Sequence, residues 1–247
     1  MNIRQYLDST YLKTPSQAGI TESESIQAAK EYIQEAVSEH FKLIMIRPDR
    51  VALAKEMIDK AHSNVQIGTV IGFPEGTASI DEKLKEANQA IQDGADDLDF
   101  VCNYEAFKND DVALVKKEIL AGTALGLKNN KVVKWIIEVA ALNETQIIQL
   151  SALIKNIVIS NFEEENYASV FVKSSTGFYT TENNLPNGAT ISTITLMLEN
   201  ASPLPVKAAG GVRTYEEAVE MIRLGVKRIG TSGAKAIANG KNTQIEY

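Results

Sequence analysis

Two lysines stand at the ends of short apolar runs and are followed at once by small or hydroxyl-bearing residues. Lys173 follows Phe-Val and precedes Ser-Ser-Thr-Gly, while Lys207 follows Pro-Val and precedes Ala-Ala-Gly-Gly. A buried strand with such an ending carries its amine to a polar rim, where a small ligand can bind. A lysine with a pKa of about 10.4 is protonated at neutral pH, but burial and a neighbouring cation lower that pKa and make the amine nucleophilic. The pair therefore indicates either Schiff-base chemistry, with Lys173 as nucleophile and Lys207 as the neighbouring cation, or the binding of an anion.

Carboxylates that could move protons precede these lysines in the chain. Forming an imine and protonating an enamine both require proton transfer, so a carboxylate near the amine is needed. Asp97 and Asp99 alternate along one predicted strand and point to the same side, with Asp99 nearer the carboxyl end. We interpret Asp99 as the proton carrier and Asp97 as a cap of a helix or loop. Asp8 and Thr10, on the first predicted strand, either complete a hydrogen-bond network or bind a substrate hydroxyl.

Glycine-rich turns follow the strand of Lys173 and the last two predicted strands. Barrel enzymes often hold a phosphate after their last two strands, on backbone amides and a helix N-terminus. Tight strand-to-helix turns also favour glycine, so the turns by themselves do not prove a phosphate site. The residues predicted to bind substrate in these turns are Thr176, Gly177, Gly210, Gly211, Gly230, Thr231 and Ser232.

The elements that must position these residues alternate between strand and helix along the whole chain. Capping-box spacings at Thr21 and Thr214 predict two of the helix starts. About eight strand–helix units without a linker predict parallel strands that close into a single-domain TIM (β/α)8 barrel over residues 1–247. A doubly wound open sheet is the alternative. The pattern predicts a strand from Val132 to Val139 and a helix ending near Ile154, and leaves residues 157–167 irregular.

The composition of the chain argues against two classes of partner. A net charge of −7 and a pI near 5.1 argue against nucleic acid or an anionic membrane surface. Cys102 is the one cysteine, so no internal disulfide can form, and we expect a cytoplasmic protein with Cys102 as a buried thiol. His40 and His62 are far apart in sequence, and we interpret them as surface residues. We expect no metal and no organic cofactor, because a lysine imine is itself an electron sink.

Nearly end to end, the motifs resemble those of the 2-deoxyribose-5-phosphate aldolase family, which are class I aldolases with a barrel fold. The resemblance implies that Lys173 forms the imine, Lys207 perturbs its pKa and Asp99 relays protons. It also implies that Asp8 and Thr10 contact substrate oxygens, and that the products are acetaldehyde and D-glyceraldehyde 3-phosphate. The segments that carry it are Leu7–Leu12, Gly72–Gly76, Gly94–Val101, Lys134–Glu138, Val172–Phe178, Val206–Thr214 and Arg228–Ser232.

The sequence departs from the family pattern at several points. Met45 stands where the family often has cysteine, and Arg47 where it often has asparagine or an aromatic residue; residues 156–169 lack the usual Gly-Ala-Asp lead-in to the Schiff-base strand. The sequence ends in Tyr247, as those of some members end in tyrosine, and we hypothesise that this residue folds over the site. Two rival functions remain: a Schiff-base aldolase with another donor, and a catalytically silent barrel that binds sugar phosphates. Barrels of this kind commonly pair through their helices, so we expect a homo-oligomer, either a dimer or a tetramer.

Overall fold

Eight parallel strands form a closed barrel in chain order in the computed structural model, which describes residues 2–182 and 185–240. The predicted barrel is confirmed and the open sheet is wrong, because the last strand pairs with the first: Asp8 is the register partner of Gly230. The strands are β1 (Leu7–Tyr11), β2 (Leu43–Ile46), β3 (Gln66–Ile71), β4 (Asp97–Val101), β5 (Val132–Ile136), β6 (Val170–Lys173), β7 (Val206–Ala209) and β8 (Arg228–Thr231).

Helices surround the barrel, and eight of the ten in the described residues begin at side-chain caps. The predicted boxes are confirmed: the Thr21 and Thr214 hydroxyls accept hydrogen bonds from the amides of Glu24 and Glu217 at 3.3 and 3.1 Å, each cap being worth about 1 kcal/mol. Among the described residues, no helix is both long enough and apolar enough to span a bilayer. The helices are α1 (Pro15–Ala18), α2 (Glu22–Ser38), α3 (Val51–Lys60), α4 (Ile80–Gln92), α5 (Tyr104–Lys108), α6 (Val112–Lys128), α7 (Glu144–Asn161), α8 (Ile191–Ala201), α9 (Tyr215–Leu224) and α10 (Ala234–Ala238).

Two boundaries differ from the sequence prediction. Helix α7 continues to Asn161, and a 3-10 helix at Glu164–Ser169 follows, so most of the stretch left irregular is helical. The continuation is stabilised by Ile157 and Val158, which bury their side chains on the core-facing side of α7. Strand β5 ends at Ile136 rather than Val139, because Glu138 turns the backbone into the left-handed region with φ 54° and ψ 69°.

The barrel interior is divided into an apolar half and an ionic half. Inward side chains of β2 and β3 pack with Leu12 and the half-buried rings of Phe73 and Phe178. The remaining strands direct acids and bases inward. This second half contains all of Asp8, Asp97, Asp99, Lys134, Lys173, Lys207 and Arg228, each 5% exposed or less.

Candidate active site

Lys173, Lys207 and Asp99 meet inside the barrel near the carboxyl ends of the strands. Lys173 on β6 is the register partner of Lys207 on β7. The two Nζ atoms each lie 2.9 Å from the same atom, Oδ2 of Asp99. The structure therefore brings together the three residues that the sequence analysis assigned to the chemistry.

The carboxylate of Asp99 belongs to a closed ring of alternating acids and bases, which we call the charge ring. Each member contacts one opposite charge on either side, with N–O distances from 2.6 to 3.3 Å. Lys173 is attached to the ring at Asp99 and is the seventh charged group of the cluster among the described residues. In order around the ring, the six members are Asp99, Lys134, Asp97, Arg228, Asp8 and Lys207.

The charge ring is neutral by itself, since it holds three carboxylates and three cations. A protonated Lys173 would add one uncompensated positive charge to a site from which water is excluded. Burial is the largest influence on Lys173 and lowers its pKa; Asp99 opposes this and Lys207 adds to it, and the result is a pKa of about 8. Burial alone raises the pKa of Asp99, but the surrounding lysines outweigh it and hold that pKa well below its ordinary value.

Outward aromatic side chains fix which residues of β4 and β5 face inward. Phe100 and Trp135 stack at 4.9 Å between ring centroids, and the Trp135 indole donates a 2.9 Å hydrogen bond to Thr123 of α6. Since side chains alternate along a strand, this anchor directs Asp99 and Lys134 into the barrel. Burying two such rings stabilises the register by a few kcal/mol, about 2 or more for each ring.

Asp97 and Asp8 are both members of the charge ring. The capping interpretation of Asp97 is wrong: its carboxylate is fully buried and lies 2.6 Å from Lys134 Nζ and 3.3 Å from Arg228. Asp8 is also fully buried and contacts Lys207 at 2.7 Å and Arg228 at 2.6 Å. The Thr10 hydroxyl donates to the Asp8 carbonyl at 2.9 Å and is itself 7% exposed. The side chain of Asp8 therefore belongs to an ion-pair network inside the barrel, which is close to the first alternative.

The loop after β6 packs against the loop after β7. The Ala189 amide donates to the Gly210 carbonyl at 2.7 Å, and a Cβ on Gly188 would lie 2.4 Å from that oxygen. Only glycine permits this approach. Gly210 and Gly211 have φ of 77° and 89°, so both require glycine. The turns predicted to bind phosphate are thus adjacent at the mouth of the barrel.

The remaining predicted substrate contacts lie at the same end of the barrel. The Thr231 hydroxyl donates to the Val212 carbonyl at 3.0 Å, which joins the turn after β8 to the turn after β7. The carbonyl of Ser232, in turn, accepts from the Tyr32 hydroxyl at 3.4 Å. Gly230 makes room for Lys207, since a Cβ there would approach the lysine Cε to 3.2 Å. Thr176 and Gly177 belong to the loop after β6, where the Thr176 hydroxyl donates to the buried carboxyl of Glu138.

Comparison with known proteins accounts for this arrangement. Residues 5–243 match the model of the DeoC/LacD family aldolases. The chain belongs to this family. Deoxyribose-phosphate aldolase of Thermococcus gammatolerans is 37% identical over 241 residues, covering 97% of this chain and 96% of the relative. A solved structure titled QR15, an aldolase, superposes with a TM-score of 0.80 at 30% identity over 97% and 95% of the two chains. The deoxyribose phosphate aldolase of Aeropyrum pernix, described as a tetramer, gives 0.76 at 25% identity over 96% and 89%.

Three members of this aldolase's buried polar site were missed as functional residues from the sequence. Lys134 interrupts an apolar run at an inward position, a signal that was available. Arg228 starts β8 and looks like an ordinary solvent-facing residue before a strand. Glu138 follows two apolar residues, Ile136 and Ile137, so the sequence predicts that it belongs to the end of the strand. Partners from distant parts of the chain decide the position of all three, so their signals are weak in the sequence.

Several other residues named from the sequence lie outside the charge ring. Met45 is fully buried inside the barrel, and Arg47 is half-buried and donates to the Leu12 carbonyl at 3.3 Å. Cys102 is buried as expected, and burial raises its pKa well above the ordinary thiol value.

His40 and His62 are exposed as expected but are not far apart in the fold, since both line a cavity of about 510 Å³ at the amino-terminal end of the barrel. Tyr247 lies outside the described residues.

Proposed function

We propose that the chain cleaves 2-deoxy-D-ribose 5-phosphate reversibly into acetaldehyde and D-glyceraldehyde 3-phosphate through a Schiff base on Lys173. The single observation that carries the proposal is the position of Lys173 as the extra cation on a neutral charge ring, with a pKa of about 8. At that pKa roughly one lysine in ten is unprotonated at neutral pH, some 200 times the fraction of an ordinary lysine. The names of the relatives supply the substrate.

The reaction uses the neutral Lys173 amine as nucleophile. The amine attacks C1 of the open-chain sugar, and the carbinolamine loses water to give an iminium ion. The bond between C2 and C3 then breaks as the C3 hydroxyl loses its proton, and the electron pair forms an enamine while C3 leaves as the aldehyde of glyceraldehyde 3-phosphate. Protonation of the enamine at C2 and hydrolysis release acetaldehyde and restore the amine.

The charge ring favours the states in which the nitrogen of Lys173 is uncharged. Both the free amine and the enamine leave the cluster neutral, whereas the iminium ion carries the extra positive charge. Asp99 faces that charge at 2.9 Å and shares Oδ2 with Lys207. We assign Asp99 to stabilising the iminium ion and to passing protons, with Lys207 as the adjacent ammonium donor.

The phosphate end of the substrate is assigned to the glycine turns. Gly177, Gly210, Gly211 and the turn at Gly230, Thr231 and Ser232 lie at the carboxyl ends of β6, β7 and β8, and backbone amides there suit a phosphate. Thr10 and Asp8 remain proposed contacts of substrate oxygens; for Asp8 that contact would have to pass through Lys207, because its carboxylate is buried beneath that lysine.

Reductive trapping tests the proposal. The protein is mixed with acetaldehyde and sodium borohydride, and intact and peptide mass spectrometry locate any adduct. A reduced two-carbon adduct on Lys173 is expected, with Lys173→Met as the control that must stay unmodified. Dihydroxyacetone in place of acetaldehyde tests the other donor class. A chain that binds sugar phosphates but forms no adduct would instead be a silent binding protein.

We also propose that residues 1–247 form one catalytic domain, that the protein is cytoplasmic and that it is a homo-oligomer. The tetramer described for the Aeropyrum pernix relative supports the last point. Light scattering at micromolar concentration measures the assembly directly, and a monomer would overturn it.

A further inference from the structure

Glu138 lies at the mouth of the barrel in a conformation that is costly for a residue with a side chain. Its φ of 54° and ψ of 69° place it in the left-handed region, which costs about 1 kcal/mol or more for a non-glycine residue. Its side chain is 1% exposed. Strain of this kind persists only where contacts hold the residue in place, so the partners of the carboxyl group are informative.

The carboxyl group of Glu138 contacts the loop that follows Lys173. Its Oε1 lies 2.6 Å from the Ser175 hydroxyl, and its Oε2 accepts from the Thr176 amide at 3.0 Å and from the Thr176 hydroxyl. Thr176 Oγ1 in turn accepts from the Phe178 amide at 3.0 Å. The hydrogen bonds to Oε2 therefore need no proton on Glu138, because the Thr176 amide and hydroxyl supply both hydrogens.

If Glu138 is ionised, the two short contacts of the Ser175 hydroxyl, with Glu138 Oε1 and with the Asn187 carbonyl, are one hydrogen short. Ser175 Oγ lies 2.6 Å from Oε1 and 2.7 Å from the carbonyl oxygen of Asn187, and it also accepts from the Gly177 amide at 3.0 Å. A serine hydroxyl has a single hydrogen to donate. Ser175 can therefore donate to only one of these two oxygens. The hydrogen in the other short contact must come from the partner oxygen, and because an amide carbonyl has no hydrogen to give, it must come from Glu138.

We propose that Glu138 is a protonated carboxylic acid in the resting enzyme and acts as a positioning residue. Its Oε1–H donates to Ser175, and the Ser175 hydroxyl then donates to Asn187. This two-step chain fastens both ends of the loop between Lys173 and α8, the loop to which the proposed function assigns part of substrate binding. The inference rests on that function only for its kinetic consequence.

The titratable groups around Glu138 agree with a neutral acid. Burial raises the pKa of Glu138, while hydrogen bonds from the loop and the charge of Lys173 oppose the increase; the net shift is upward. Glu75, Tyr104 and Tyr179 line the same cavity of about 150 Å³. Burial is the main cause that raises the pKa of Tyr104 to about 12, so this phenol stays neutral and, like Tyr179 and the acidic Glu75, brings no positive charge to Glu138.

Loss of this proton should release the loop. An ionised Glu138 takes the Ser175 hydrogen for itself and leaves the Asn187 carbonyl without a donor. Because the folded-state pKa lies above the ordinary carboxyl value, the folded chain holds the proton more tightly than the unfolded chain. The free energy of unfolding therefore falls as pH rises from the ordinary carboxyl range through the folded-state pKa.

Carboxyl NMR tests the protonation state without substrate. Protein labelled with ¹³C at glutamate side-chain carboxyls is examined at about pH 7, where ordinary glutamates are ionised, and then at rising pH. One resonance, absent in Glu138→Gln, is expected at the position of a protonated carboxyl at neutral pH and should move towards the carboxylate position only as the pH is raised further. If that resonance has the shift of a carboxylate throughout, the proposal is wrong whatever the enzyme's substrate.

Glutamine substitution gives an independent test, because a neutral amide can donate to Ser175 as the acid does. Glu138→Gln should keep its melting temperature within about 2 °C of wild type and should remove the fall in melting temperature with rising pH that Glu138 contributes, while Glu138→Leu should raise KM about tenfold or more. Glu118 is the matched control: its carboxyl accepts from Lys83 and from the Asn103 amide, each at 2.6 Å. Glu118→Gln sets an NH₂ group against one of these donors and should lower the melting temperature by several degrees. A Glu138→Gln protein that is unfolded, or is as destabilised as Glu118→Gln, would overturn the proposal.

Discussion

Lys173 and Lys207 are register partners on adjacent strands, yet they have different numbers of acidic neighbours. Lys207 bridges Asp8 and Asp99 at 2.7 and 2.9 Å, whereas Lys173 is paired with Asp99 alone among the acidic residues that the structure describes. Lys207 is one of the three cations that balance the three carboxylates of the ring, whereas the ring is neutral without a charge on Lys173. This asymmetry favours Lys173 over Lys207 as the proposed nucleophile, a choice that their sequence motifs alone do not fix.

The first prediction concerns pH. Lys173 attacks only when neutral, and its pKa is about 8, so the rate of imine formation should rise about tenfold per pH unit below that value and level off above it. Single-turnover trapping with borohydride at a series of pH values measures this rate. A profile that keeps rising up to the pKa of an ordinary lysine would contradict the lowered pKa.

The second prediction contrasts the two lysines by stability. Lys173→Met should abolish turnover and also stabilise the fold, because it removes the unbalanced charge; the pKa shift corresponds to a gain on the order of 3 kcal/mol near neutral pH. Lys207→Met should depress turnover and destabilise by about 3 kcal/mol, since Asp8 and Asp99 each lose a buried paired cation.

Urea unfolding of both variants beside wild type measures these free energies. The two substitutions remove the same groups from adjacent positions, so each is the control for the other. If both substitutions lowered the free energy of unfolding equally, the neutrality of the charge ring would not explain the difference between the two lysines.

The third prediction tests the ring as a unit. Lys134 contacts Asp97 at 2.6 Å and Asp99 at 2.8 Å. Lys134→Met should therefore destabilise by about 3 kcal/mol, raise the pKa of Asp99 and reduce kcat more than KM. Adding Asp97→Asn restores neutrality and should recover part of the stability. A double variant no more stable than the single one would contradict charge balance as the organising force.

Much of this site could be predicted from the sequence, and the limits have physical causes. Local motifs reveal residues at the carboxyl ends of strands, so Lys173 and Asp99 were predicted to share a site, and the structure places them 2.9 Å apart. Asp97 was misassigned because its partner, Arg228, is reached only after the barrel closes. Glu138 was hidden for a related reason: strand propensity predicts that β5 continues, but contacts with the loop after β6 impose a left-handed turn.

The last prediction concerns resistance to the enzyme's own aldehydes. Met45 lies inside the barrel and carries no nucleophile, while burial raises the pKa of Cys102 and keeps its thiol protonated. Prolonged exposure to acetaldehyde should therefore leave most of the activity intact. Met45→Cys places a thiol on the barrel's inward face beside Phe73 and Phe178 of the mouth loops, whereas Cys102 packs in the main core, so the variant should be inactivated faster by about tenfold or more. Residual activity and peptide mass spectrometry after matched incubations decide the matter: rapid loss in the unmodified protein with an adduct on Cys102 would refute it, and an adduct at position 45 of the variant alone would support it.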